Sequence, residues 1–202
     1  MRKKRISWAL CLLLSTGLSA QEFSLSTNFL DWANFGSMNL SASVSLQRRV
    51  TLGASASYNP WTFRYGDSYV YNRHRTFGVH CDIWPWHVSA GWSLRVGLQQ
   101  KQYAVGGLFS LTEEGNAWGA GVAFNYSRLL SRDWNLKFGA GLWGGKKTYT
   151  RYRCPGCGRR MEEGSAWFVA PYGMAVSLVY VLPLGERSRA ERTVRVPLRD
   201  QR

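Results

Sequence analysis

The chain has 202 residues, enough for one domain around one core, and carries a formal charge of +14 with 12 acidic residues beside 21 Gly, 10 Trp and 10 Tyr. Beyond residue 20 no apolar run approaches the roughly 18 to 20 residues of a spanning helix, which excludes a helical membrane protein. Glycine suits a bent, closely packed strand wall, and Trp and Tyr favour the boundary between lipid and water, so the composition leans to a β-barrel.

At the amino terminus, Arg2, Lys3, Lys4 and Arg5 precede an apolar run from Ile6 to Leu14 and the small residues Ser15, Thr16, Gly17, Ser19 and Ala20. This order predicts a secretory signal peptide over residues 1–20, cut after about Ala20. A lipoprotein reading would use Cys11, but Leu10 is a poor neighbour and most of the apolar region lies beyond it. Removing the four basic residues of the signal leaves 14 − 4 = +10. Export withholds the chain from nucleic acid, so the charge points instead to outer-membrane lipid head groups and lipopolysaccharide phosphates as partners.

Residues 21–182 then alternate apolar with small or polar side chains, which in a strand puts one set on each face. Eight strands are predicted, over 23–29, 37–46, 50–59, 76–83, 88–99, 118–127, 134–142 and 174–182. In the sixth, Trp118, Ala120, Val122, Phe124 and Tyr126 oppose Gly119, Gly121, Ala123, Asn125 and Ser127. Across the strands the second face carries mostly Ser, Gly and Asn rather than the Lys, Glu and Arg of a solvent-facing sheet, and small polar residues suit a narrow barrel lumen. The expected fold is all-β, a transmembrane up-and-down antiparallel barrel of about eight strands in an outer membrane.

Connection lengths support this reading. Gln47–Arg49, Pro85–His87 and Ser131–Asp133 are short, whereas Pro60–Asn72, Gln100–Ala117 and Lys146–Ser165 are long, the alternation of periplasmic turns with external loops. Asp31–Gly36 is the short exception. Residues 183–202 lack a strand pattern and read as a basic periplasmic tail.

Three groups of residues are candidates for chemistry. Cys154 and Cys157 form a Cys-x-x-Cys in the last long loop, a redox pair or loop disulfide; a zinc site would need two more ligands, and no second Cys pair or His lies between Lys146 and Trp167. Basic neighbours there favour the thiolate. Asp82 and Lys137 share inward parity at similar depth and are expected to form a lumen charge pair, with Arg95 placed nearer the outer side and unassigned. Trp61, Phe63, Tyr65, Tyr69 and Tyr71, interleaved with Arg64 and Arg73, offer an external binding loop or part of the interfacial girdle. His74, His80 and Asp82 share a face but are spread along eight residues, so they make no single catalytic site unaided.

Ser26-Thr27-Asn28-Phe29-Leu30, Tyr58-Asn59-Pro60-Trp61, Trp118-Gly119-Ala120-Gly121, Trp134-Asn135-Leu136, Cys154-Pro155-Gly156-Cys157-Gly158 and Val176-Ser177-Leu178-Val179-Tyr180 occur in this order across most of the chain. In these stretches the chain resembles an uncharacterised family of small β-barrel proteins from anaerobic Gram-negative bacteria, often companions of fimbrial or surface-assembly genes. The resemblance implies localisation and fold, and no chemistry. One departure is that Leu182 is followed by a basic tail, where barrels commonly end on an aromatic residue. The expected function is a non-enzymatic outer-membrane barrel, without cofactor, serving envelope structure or surface assembly. An adhesin or ligand-binding barrel using the aromatic loop is the first alternative, and a lipid-modifying envelope enzyme the second.

Overall fold

The computed structural model describes residues 22–66, 68–107, 112–153 and 159–184; the predicted signal peptide, Cys154 and Cys157, and the tail beyond Leu184 lie outside the described residues. The strands are β1 (Glu22–Asn28), β2 (Met38–Gln47), β3 (Val50–Asn59), β4 (Thr62–Tyr65), β5 (Ser68–Ile83), β6 (Gly91–Gly106), β7 (Thr112–Leu129), β8 (Trp134–Tyr152) and β9 (Arg160–Pro183), with one helix, α1 (Phe29–Ala33), between β1 and β2. All pairings are antiparallel, and the β1–β9 and β3–β5 pairs close the sheet into a ring. The nine strands occupy eight staves, because β3 and β4 both pair with β5, one below and one above Pro60–Trp61. Proline has no N–H for the ladder, which breaks that stave in two.

Following the pairing from Ser24 through Ser43, Gly53, His80, Gly97, Gly121 and Trp143 leads to Ala170 on β9. Ser24 itself pairs with Val181, an offset of 181 − 170 = 11 residues. One of these is the extra residue of a β9 bulge, where Gly173 takes φ 59°. A shear of about ten on eight staves gives a tilt of about 40° and a backbone radius of about 8 Å.

Burial alternates along β7: Gly121, Ala123, Asn125 and Ser127 are buried, and Val122, Phe124 and Tyr126 are exposed. The interior set is small or polar and the exterior set apolar, the reverse of a water-soluble sheet. Leu40, Leu52, Phe77, Val79, Leu98, Phe124 and Leu142 stand outward as a continuous belt. Trp92 and Tyr126 meet at its lower rim with centroids 5.0 Å apart, as do Trp134 and Tyr180 at 4.9 Å. Trp118 and Trp167 mark the upper rim.

Two expectations need correction. The predicted long loops are mostly strand: β5 to β9 run 16, 16, 18, 19 and 24 residues, well beyond the 7 to 10 of β1 to β3. Above the belt both faces of these hairpins carry polar residues, Gln102, Glu114 and Thr148 outward and Glu113 and Lys147 inward, so the period-two contrast fades while the backbone ladder continues. The short connection after β1 contains α1, capped where Asn28 accepts from the Leu30 amide at 3.2 Å and ended by left-handed Phe35 and Gly36.

Candidate functional site

The lower lumen is sealed by side chains. Asp82, 2 % exposed, accepts Arg95 Nε at 2.7 Å and Nη2 at 2.9 Å, and Lys137 Nζ at 2.7 Å. Asp82 and Arg95 are direct cross-strand partners, so the expected pair is a triad. Arg95 is not nearer the outer side: β6 starts at Gly91 rather than Val88, which lowers every residue counted from its end. Beneath the triad the 84–90 turn folds inward. Trp84 is buried, donates to Thr51 Oγ1 at 3.0 Å and lies under Lys137, 5.4 Å from its ring centroid. Val88, Val179 and Val181 complete the floor.

One row above, large and small residues alternate around the ring. His80 stands between Gly53 and Gly97, and Trp143 between Gly121 and Ala170. A Cβ on Gly97 would collide with the Tyr172 hydroxyl, and one on Gly121 would come 2.7 Å from Tyr172 Cδ1. The glycines thus make room for His80, Tyr172 and Trp143 to fill the lumen.

Between the triad and α1 lies a cavity of about 260 Å³ lined by Arg95, Lys101, Asn125, Lys137, Trp143, Tyr172 and, from α1, Asp31. An asparagine network fastens its roof. Asn28 donates to the Met174 carbonyl at 3.0 Å and accepts from the Val176 amide at 3.1 Å, extending the β1–β9 seam. Asn39 Oδ1 accepts from the Asn28 amide at 2.6 Å, and Asn59, 1 % exposed, donates to Ser37 Oγ at 2.9 Å and to the Asn34 carbonyl at 3.3 Å.

Residues 6–182 match the family DUF3575, described as protein of unknown function. The chain belongs to this family. No curated protein matches it.

In this DUF3575 chain the candidate residues fall in separate places. His74 bonds Ser57 Oγ at 3.1 Å near the top of the lumen, six residues up the strand from His80. Trp61 donates from Nε1 to the Gly36 carbonyl at 3.2 Å, and Phe63 packs on Phe35 with centroids 5.9 Å apart, so both brace the β1–β2 connection. Tyr71 is buried and carries the Arg73 guanidinium 4.7 Å from its ring centroid, while Tyr69 is exposed. The side chain of Tyr65 is outside the described residues. Among the described residues no three His, Cys, Asp or Glu side chains converge as metal ligands would.

Sequence reasoning missed a second cluster on the inner face of the long hairpins. Glu113 accepts from Tyr103 Oη at 2.6 Å, Lys147 Nζ at 2.8 Å and Arg151 Nε at 3.0 Å, and Arg151 Nη1 continues to Glu162 at 2.9 Å. Burial alone would raise the Glu113 carboxyl, but the bonds from Lys147, Tyr103 and Arg151 outweigh it and hold it below the usual glutamate value. Burial, and then the bond to Glu113, pushes the Tyr103 phenol well above the ordinary tyrosine range. The parity that marked Arg95 as inward, carried past Gln99, would have marked Lys101 and Tyr103 too.

Proposed function

We propose that this protein is an integral outer-membrane β-barrel with a closed lumen, exported by its amino-terminal signal, and that it acts without catalysis as an anchor for surface assembly. The observation that carries the reading is the outward belt. From Trp118 to Tyr126 it covers eight residue steps of about 3.3 Å, roughly 20 Å along the axis at about 40° of tilt, and the rim aromatics widen it toward the ~25 Å apolar band of outer-membrane barrels. Above it the outward face turns polar on adjacent staves together, at Gln102, Asn116, Thr148 and Ser165. Arg73, Arg75 and Lys146 stand on the outward face near that rim, where lipopolysaccharide phosphates would meet them.

The anchor role draws on the upper sheet. Glu113, Lys147, Arg151 and Glu162 tie β7, β8 and β9 into one stiff surface above the belt, suited to presenting a docking face. The resemblance to companions of surface-assembly genes agrees with it. With Trp61 and Phe63 committed to bracing and Tyr71 buried, the aromatic segment leaves little for a free adhesive loop.

Val122→Arg, at mid-belt, should cost roughly 2 to 4 kcal/mol and lower the heat-modifiable folded band on gels from outer membranes. Asn116→Arg, two rungs above the belt, should leave that band intact. Equal behaviour of the two variants, or a mature chain that folds as a soluble monomer without detergent, would remove the membrane reading. Co-purification from intact outer membranes tests the assembly role, with partners expected to disappear when the Glu113–Arg151 cluster is disrupted.

A further inference from the structure

We propose that the lumen cavity between α1 and the Asp82 triad is a binding site for a small oxyanion of the phosphate class. Its floor has a charge surplus. Arg95 and Lys137 both spend themselves on one carboxylate, so two cations face one anion and the triad holds a net +1 in a site where water is scarce. Both cations line the cavity, and each keeps N–H groups that Asp82 does not use.

Two further donors face the same space. Asn125 is 1 % exposed and lines the cavity, and its Nδ2 has no hydrogen-bond partner among the described residues. A buried amide left in this state costs about 1 to 3 kcal/mol, so a partner is expected. Lys101 lines the upper wall, where no hydrogen bond or ion pair is made to its ammonium among the described residues, and Asp31 on α1 acts on it only through space. The lining therefore carries a guanidinium, two ammonium groups and an amide N–H, with Asp31 the single carboxylate on the cavity wall among the described residues. Donors arriving from several staves suit a tetrahedral anion with oxygens in every direction better than a planar carboxylate. The 260 Å³ of space holds such an anion with a few waters. Tyr172 and Trp143 form part of its wall, seated against Gly97 and Gly121.

The same chemistry is available as a free anion entering past Lys101 or as a lipid phosphate entering beside α1, where β9 above Ser177 keeps its β8 partner but its pairing with β1 has ended. The test uses the full mature chain, purified from membranes in a zwitterionic detergent, and does not depend on its cellular role. Isothermal titration with inorganic phosphate, and separately with phosphatidylglycerol in mixed micelles, should give saturable binding at one site per chain and a rise in Tm. Lys101→Met and Asn125→Ala should each weaken it by about tenfold. Asn125→Asp, which sets a carboxylate against the anion, should abolish it, with heat-shifted gel mobility confirming that each variant is folded. Saturation by inorganic phosphate identifies a free anion, and saturation by phosphatidylglycerol alone identifies a lipid headgroup. No saturable binding of either probe by the wild-type chain, or binding indifferent to all three variants, overturns the proposal.

Discussion

Asp82 carries a heavy electrostatic obligation, because among the described residues its carboxylate is the one anion paired with Arg95 and Lys137, both part-buried cations. Asp82→Asn should therefore cost about 3 to 5 kcal/mol, read as a lower urea midpoint for tryptophan fluorescence in micelles. Lys137→Met is expected to cost roughly 1 kcal/mol, since it leaves the two-pronged Arg95–Asp82 pair neutral and satisfied. Joining Asp82→Asn to Lys137→Met recovers only part of the loss, because Arg95 is then alone. Adding Arg95→Met should bring the midpoint back near wild type, as apolar replacement of whole buried clusters does. Additive losses across the three would show that the groups are not coupled.

At the scale of elements, Glu113 joins β6, β7 and β8 through Tyr103, Lys147 and Arg151. Glu113 has its pKa lowered by folding, so its contribution is complete above the unfolded value of about 4.3 and is lost as pH falls through the folded value. Amide-exchange protection around residues 112–116 and 147–151, corrected for intrinsic rates, should fall on acidification in that window. Glu113→Gln should show the low protection already at neutral pH and little further change; an equal acid response in that variant would place the titrating group elsewhere. The helix α1 depends in the same way on Asn28, whose one side chain caps it and extends the seam to β9. Asn28→Ala should cost about 1 to 2 kcal/mol and expose 29–33 to protease before the barrel itself opens.

For the molecule as a whole, eight staves at a shear of about ten leave a narrow lumen, closed below by Trp84 and the Asp82 triad and holding the cavity of about 260 Å³ above them. Orientation is testable through thiols. Arg153 donates to the Arg159 carbonyl at 3.2 Å across the upper end of β8 and β9, and Cys154 and Cys157, outside the described residues, fall between these two in sequence. Under the proposed topology a membrane-impermeant maleimide should label this pair on intact cells under reducing conditions, while outward, belt-level Cys81 stays unlabelled. Labelling only after lysis would invert the barrel.

Much of this architecture was legible in the residues alone, for a simple reason. Alternation in strands such as 118–127 is enforced wherever one face is apolar and the other small and polar, so face, strand order and the all-β class follow from local pattern. The same pattern is silent where both faces are polar, which is why the upper halves of β6 to β9 look like loops until their backbone pairing is seen. It is equally silent about depth. That Arg95 lies opposite Asp82 depends on where the 84–90 turn ends and on the register it imposes, and that Lys137, fifty-five residues away, completes the cluster depends on closure of the ring. Inward parity was therefore a property of the sequence. Which inward residues meet was decided only by register, tilt and closure, because a lumen contact joins strands that share no local sequence.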